Sequence, residues 1–134
     1  MRGVVVARAD ELAPGERKLV DIGGRSIGVF NVAGEYFALR NRCPHQGGPL
    51  CEGFQFAPLR STGPGQYARG TDDEIIRCPW HGWEFDLRTG RSWFDPDHTR
   101  VRSYPVDVRP GAQLEAETYP AHREGDYVVV ELER

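Results

Sequence analysis

Two short segments, each pairing a cysteine with a histidine, place the strongest constraint on how this chain can fold. They are Cys43-Pro44-His45 and Cys78-Pro79-Trp80-His81. Each follows a strand-like run, residues 36–39 and 74–77, and each turns through proline and glycine near its ligand-type side chains. Rigid strands that end in loops are a common way to position functional residues. We therefore expect a fold that carries both loops to one metal centre, because thiolates and imidazoles are metal ligands.

Runs of alternating or β-branched residues recur along the chain, which is typical of strands. They predict strands over residues 4–8, 18–22, 26–32, 36–39, 74–77, 83–87, 106–109, 114–119 and 127–132. Only residues 10–17 have helix-like composition, and Pro14-Gly15 limits that segment to about one turn. Glycine and proline between the runs favour tight connections. The predicted fold class is all-β, an antiparallel sandwich or small barrel.

Length and composition fit a single domain over residues 1–134, because 134 residues with 39% hydrophobic content can bury one core. A net charge of -3 without a basic block argues against nucleic acid as a partner. The apolar run at residues 4–7 is too short for a signal peptide or a membrane span. We therefore expect a cytoplasmic protein without membrane association, whose three cysteines are metal ligands plus one free thiol, Cys51.

Residues 53–73 separate the two Cys-His segments and contain several prolines and glycines but little periodicity. This composition predicts a surface excursion between the two loops. Either a docking loop or an inert connection is compatible with it.

The order of the four candidate ligands favours an iron-sulfur cluster over a single ion. Each loop offers one thiol and one imidazole, so Cys43 and Cys78 can bind one iron of a [2Fe–2S] cluster while His45 and His81 bind the other. Two thiolates and two neutral imidazoles make the oxidised site neutral, and a neutral site accepts an electron more readily than an all-cysteine site. Zinc is the alternative, but structural zinc sites usually group like ligands, as in C-x-x-C followed by H-x-H.

Residues 43–50, Cys-Pro-His-Gln-Gly-Gly-Pro-Leu, and residues 78–83, Cys-Pro-Trp-His-Gly-Trp, resemble the two cluster-binding boxes of Rieske proteins. The resemblance covers at least residues 36–90, and the joint occurrence of both boxes makes it specific. It implies a [2Fe-2S] cluster held by Cys43, His45, Cys78 and His81. It also implies a base sandwich carrying a smaller cluster-binding subdomain, here about residues 41–95.

High-potential Rieske proteins of respiratory chains carry extra features around the cluster that this sequence lacks. The positions of their paired cysteines hold Gly48 and Trp80, that of a serine holds Trp83, and that of a tyrosine holds Phe85. Hydrogen bonds from those hydroxyls stabilise the reduced cluster, each by roughly 1.5–3 kcal/mol. Their absence predicts a midpoint potential in the lower part of the roughly −150 to +300 mV Rieske range.

The chain is most similar to the soluble Rieske-type ferredoxins of oxygenase systems. That resemblance implies a one-electron carrier between a flavin-dependent reductase and a terminal oxygenase or related acceptor, an electron-transfer component rather than a stand-alone catalyst. An accessory subunit, similar to the small subunit of assimilatory nitrite reductases, is the alternative. A non-redox module is disfavoured by the four intact ligand positions. The mononuclear iron site of an oxygenase is not expected, since only His98 and His122 remain and a loop and a strand separate them.

Several further residues near the boxes have two interpretations. Trp80, Trp83, Phe85 and Trp93 form either an apolar cover that shields the cluster or, for Trp80, part of a docking surface beside His81. Cys51 is best explained as a buried small hydrophobic residue. The basic side chains of Arg77, Arg88 and Arg91 are explained equally well by docking and by surface salt bridges.

Overall fold

The computed structural model describes residues 2–69, 73–110 and 125–132, which form antiparallel β structure. The first strands are β1 (Arg2–Arg8), β2 (Arg17–Ile22), β3 (Arg25–Val32), β4 (Glu35–Arg40), β5 (Phe54–Phe56) and β6 (Leu59–Gly63). They are followed by β7 (Gln66–Arg69), β8 (Ile75–Arg77), β9 (Glu84–Asp86), β10 (Ser103–Tyr104), β11 (Val106–Pro110) and β12 (Asp126–Leu132). Short 3-10 helices occupy Ala9–Glu11 and Leu50–Glu52.

Two sheets form the part of the molecule that we call the base. One has the order β1-β12-β11 and the other the order β10-β4-β3-β2. Between them lies a core of mostly aliphatic side chains, including Ile27 and Val29 of β3 and Val128 and Val130 of β12. Alternation along each strand directs these residues inward, as a pattern of period two requires.

A second core lies on the opposite face of β3 and β4. There Phe30, Val32 and Leu39 pack with Ile76 and Phe85 of the small sheet β5-β8-β9. The sheet that contains β3 is therefore covered on both faces, and the last six residues of β3 are all buried. We call the small sheet, the loops at residues 41–53 and 78–83, and the segment 87–101 the metal-binding end.

The all-β prediction is confirmed, and eight of the predicted strands are present with ends shifted by no more than two residues. The ninth, at residues 114–119, lies outside the described residues. The helix-like segment is reduced to the turn at Ala9–Glu11. Within residues 2–69, 73–110 and 125–132, no helix has the length and apolar character needed to cross a membrane.

Residues 53–73, for which the sequence predicted a surface excursion and no strand, contain three strands in their described part, residues 53–69 and 73. β5 pairs with β8, and β6 and β7 form a hairpin of their own. The sequence signal is weak because β5 has only three residues and owes its extended form to pairing with β8, which follows 19 residues later. The excursion therefore adds an edge strand to the metal-binding end.

Candidate metal centre

The two Cys-His loops are closed by the same pattern of backbone hydrogen bonds. In the first, the Cys43 carbonyl accepts from Gly47 N–H at 2.7 Å and Cys43 N–H donates to the Gly48 carbonyl at 2.8 Å. In the second, the Cys78 carbonyl accepts from Gly82 N–H at 3.0 Å and Cys78 N–H donates to the Trp83 carbonyl at 2.7 Å. The same donor and acceptor spacing in both loops gives two matching turns.

Glycine makes these turns possible. Gly47 has a φ of 80° and Gly82 a φ of 76°, a backbone conformation that residues with a Cβ rarely adopt. The amides of both glycines donate to the cysteine carbonyls and are therefore not available to a cluster sulfur. Each glycine lies four residues after its cysteine, so the hydrogen bond from its N–H to the cysteine carbonyl closes the loop. The backbone N–H groups that act on the Cys43 sulfur belong to His45 and Gln46.

The two cysteine thiols lie side by side at the inner end of the loops. Cys43 and Cys78 are both buried and both belong to the core of the metal-binding end. Burial raises the pKa of the Cys43 thiol, and the adjacent Cys78 thiol raises it further. The N–H groups of His45 and Gln46 oppose this rise. A positive group between the two sulfurs would relieve the cost of ionising them in this buried position.

The two imidazoles lie side by side at the outer end. His45 and His81 are both exposed, and their ring centroids are 4.9 Å apart in an edge-to-face arrangement. The His45 ring also stacks on Trp83, with centroids 4.4 Å apart and an angle of 10° between the planes. The centre thus has a buried thiol pair and an exposed imidazole pair.

Gly48 forms part of a close-packed cradle at the thiol pair. A Cβ at this position would lie 3.0 Å from the Cys78 sulfur and 2.8 Å from the Trp80 ring. Any larger residue would push the second loop away from the first. Glycine at this position therefore sets how closely the two boxes approach each other.

The turn Leu50–Gly53, which follows the first box, is tied to both the base and the second box. Arg17 of β2 donates from Nη1 to the carbonyls of Cys51 at 3.0 Å and Gly53 at 2.6 Å. The Asn41 side chain accepts from Cys51 N–H at 2.8 Å. A Cβ on Gly53 would lie only 1.9 Å from the carbonyl oxygen of Arg77, the residue before Cys78.

Sequence reasoning missed Arg17 and Asn41. Asn41 lies two residues before Cys43, so its position next to the first box was the one available signal. Arg17 lies more than 30 residues from the carbonyls that it binds, and nothing in its local sequence points to them.

The interpretation of Cys51 as a buried small residue is confirmed. Its side chain is fully buried, its thiol lies 3.4 Å from the Leu39 carbonyl, and burial raises its pKa to about 12. The thiol is therefore neutral at physiological pH. All three cysteines are unpaired.

The aromatic residues around the second box divide into a cover and an exposed group. Phe85 is fully buried and Trp83 is half-buried against the core, so these two residues form the cover. Trp80 is 57% exposed, so it does not serve as an interior cover.

Of the basic residues considered for docking, Arg77 pairs with Glu84 and Arg88 bonds to Glu35 and Glu74.

His98 is exposed and bonds to Asp95 at 3.1 Å, whereas His122 lies outside the described residues. In the part of the chain that the structure describes, no group of three or more His, Cys, Asp or Glu side chains is placed to hold one metal ion. What the two loops offer is two sulfurs at the inner end and two imidazoles at the outer end. This donor set, with the Gly48 cradle beside it, suits a two-iron cluster with mixed ligation.

Curated relatives of this chain are ferredoxin components of dioxygenase systems. The 3-phenylpropionate/cinnamic acid dioxygenase ferredoxin subunit of Escherichia coli K12 is 32% identical over 85 residues, which are 63% of this chain and 66% of that protein. The chain thus spans slightly less than two thirds of that relative. The ferredoxin component of biphenyl 2,3-dioxygenase from Rhodococcus jostii RHA1 is 28% identical over 128 residues, or 96% of this chain and 91% of that protein.

A solved structure extends the likeness to the fold. The ferredoxin of carbazole 1,9a-dioxygenase from Nocardioides aromaticivorans IC177 superimposes with a TM-score of 0.67 at 25% identity, covering 99% of this chain and all of that one. The Rieske [2Fe-2S] domain family matches residues 2–105, a range that includes both loops and every strand from β1 to β10. The family implies a [2Fe-2S] cluster, and the donor set fits it. The chain belongs to the Rieske [2Fe-2S] family.

Proposed function

We propose that this chain is a one-electron carrier that receives electrons from a flavin-dependent reductase and delivers them to a terminal oxygenase or a related acceptor. The main support for the proposal is the orientation of the centre, in which the thiol pair is buried and the imidazole pair is exposed. An exposed ligand edge lets a partner approach the centre closely. Relatives that are ferredoxin components of dioxygenases support the same role.

In this proposal the cluster ligands are Cys43, His45, Cys78 and His81. The cluster supplies reversible uptake of one electron when it is bound. The protein would supply two buried thiolates and two imidazoles as ligands, and the two thiolate charges together with neutral imidazoles would leave the oxidised site uncharged. Residues 41–95 then correspond to a cluster-binding subdomain within a single domain at residues 1–134.

The ligand assignment is tested by metal analysis of single variants. The parent protein should contain two irons and two sulfides per chain after anaerobic purification. Cys43→Ser, Cys78→Ser, His45→Ala and His81→Ala should each lose most of the iron. Cys51→Ala and His98→Ala are matched controls, since one removes a thiol of the same core and the other an exposed imidazole of the same end. The assignment is contradicted if any ligand variant keeps the full iron content of the parent, or if either control loses its iron.

The residues beside the centre favour a low midpoint potential. Trp83 stacks on His45 and Phe85 is buried in the core, and neither side chain has a hydroxyl to donate to the cluster. We expect a midpoint in the lower part of the roughly −150 to +300 mV Rieske range. A redox titration that gives a value above about +150 mV would refute this expectation.

The carrier and the accessory subunit differ in how long they stay bound. Redox encounters usually bury little surface and are brief. In extracts of the native cells, a carrier elutes from a sizing column near the chain's own 15.1 kDa. Stable co-elution with a larger catalytic chain would favour the accessory subunit instead. We place the carrier in the cytoplasm, where a reducing environment suits cysteines that form no disulfide.

A further inference from the structure

The two imidazoles at the centre are supported differently by the protein. His45 stacks nearly parallel on the Trp83 indole, 4.4 Å away between ring centroids. His81 and His45 pack edge-to-face, and no aromatic ring besides His45 packs on His81 among the residues that the structure describes. One candidate ligand thus stacks face to face on an aromatic ring and the other does not.

A second ring supports the indole from the other direction. Phe94 packs edge-to-face on Trp83, with centroids 5.4 Å apart and an angle of 71° between the planes. The Phe94 side chain is 68% exposed, so core packing does not account for its position. The rings of His45, Trp83 and Phe94 therefore contact one another in sequence, with Trp83 in the middle.

The turn that carries Phe94 is held by the residue that follows it. Asp95 N–H donates to Ser92 Oγ at 3.2 Å, and the Asp95 carboxylate accepts from Thr99 Oγ1 at 3.0 Å and bonds to His98 Nδ1 at 3.1 Å. The Trp93 N–H donates to the Glu84 carbonyl of β9 at 2.8 Å. These bonds fix the turn on the small sheet, and the turn places Phe94 against Trp83.

We propose that Trp83 is a positioning residue for His45, and that Phe94 positions Trp83. A stacked indole restricts rotation of the imidazole about its side-chain bonds, so the ring nitrogen reaches the metal in one orientation. His81 lacks this support, so the orientation of the two ligands is controlled independently. This inference rests on the ligand assignment of the proposed function.

Pulsed EPR of the dithionite-reduced protein tests the inference, because it reports a separate nitrogen coupling for each imidazole ligand. Trp83→Leu should shift or broaden one of the two couplings and leave the other unchanged. Trp83→Phe retains a ring and should restore most of the parent coupling. Phe94→Ala should shift the same coupling as Trp83→Leu by a smaller amount, and its exposed position means that it should still fold and bind iron.

Trp80→Leu is the control, since it removes an indole of the same box whose ring packs on Gly48. It should leave the Trp83-sensitive coupling as it is in the parent. Unchanged couplings in both Trp83→Leu and Phe94→Ala, or equal shifts of both couplings in either variant, would overturn the inference. Where Trp83→Leu fails to assemble a cluster, Phe94→Ala decides alone. A parent protein with no imidazole coupling would instead refute the ligand assignment itself.

Discussion

In the base, β3 and β12 run for eight and seven residues and bury aliphatic side chains, whereas β5, β8 and β9 at the metal-binding end have three residues each. The core of the metal-binding end includes three thiols, and its outer surface carries the imidazoles of His45, His81 and His98 and exposed aromatic rings. The base is held together by the pairing of long strands and by the packing of aliphatic side chains between its two sheets. The metal-binding end has less regular structure and depends on close backbone approaches and on side chains reaching backbone carbonyls.

Because of this difference, the two ends should respond differently to substitution. Changes in the base should cost free energy of unfolding and leave the centre as it is. Changes at the turn Leu50–Gly53 should affect iron binding more strongly than global stability, because this turn joins the first box to β2 and to the residue before Cys78. Four substitutions separate the two responses.

Gly53→Ala should have the largest effect. Its Cβ would lie 1.9 Å from a backbone oxygen that cannot rotate away, so the two boxes must separate. We expect a loss of more than about 3 kcal/mol in the free energy of unfolding and little bound iron, measured by denaturation and metal analysis. Gly63→Ala is the control, since among the side chains that the structure describes its Cβ meets only that of Gln66, which is flexible. Parent-like iron content in Gly53→Ala would show that the turn does not set the spacing of the boxes.

Ile27→Ala probes the base. The side chain is fully buried between the two base sheets, so its truncation should cost about 3 kcal/mol in the free energy of unfolding. Iron content and midpoint potential should stay those of the parent below the unfolding transition. A shifted potential would break the distinction between base and metal-binding end.

Arg17→Met removes the link between β2 and the turn. Two partly buried hydrogen bonds from a charged donor are lost, and we expect a destabilisation of about 2 kcal/mol. Iron should also be released faster to a chelator. The neighbouring variant Lys18→Met is matched, because Lys18 likewise donates to a backbone carbonyl, that of Val6, but within the base. Equal iron release from both variants would contradict a specific role for Arg17.

Cys51→Ala should have the smallest effect at neutral pH and a distinct effect in alkali. The pKa of Cys51 is about 12 in the folded protein and about 9 when unfolded, so the unfolded state loses its proton first as the pH rises. The stability that the neutral thiol provides is intact below pH 9 and declines by about 1.4 kcal/mol per pH unit above it. Urea unfolding across this range should show the decline in the parent and a shallower one in Cys51→Ala. Identical slopes would refute the buried, neutral thiol.

How far the sequence predicts each end follows from the same contrast. The base strands were predictable because their alternation is local and extends over many residues, as in β3 and β12. The four candidate ligands were predictable because their chemistry and spacing are local. Strand β5 could not be predicted, since its extended form depends on pairing with β8, and the β6–β7 hairpin shows little alternation in the sequence. The contacts of Arg17 could not be predicted because they are hydrogen bonds to residues that are distant in the chain. The bonds from the Gly47 and Gly82 amides to the cysteine carbonyls could not be predicted either, because they depend on how each loop closes.

We propose that the two loops hold one [2Fe-2S] cluster, with thiolates on one iron and imidazoles on the other. Low-temperature EPR of the anaerobically purified, dithionite-reduced protein, combined with metal and sulfide analysis of the same sample, is the decisive measurement. We expect two irons per chain and an average g-value below that of an all-cysteine cluster. An average g-value typical of all-cysteine ligation, or one zinc per chain and no EPR signal, would contradict it.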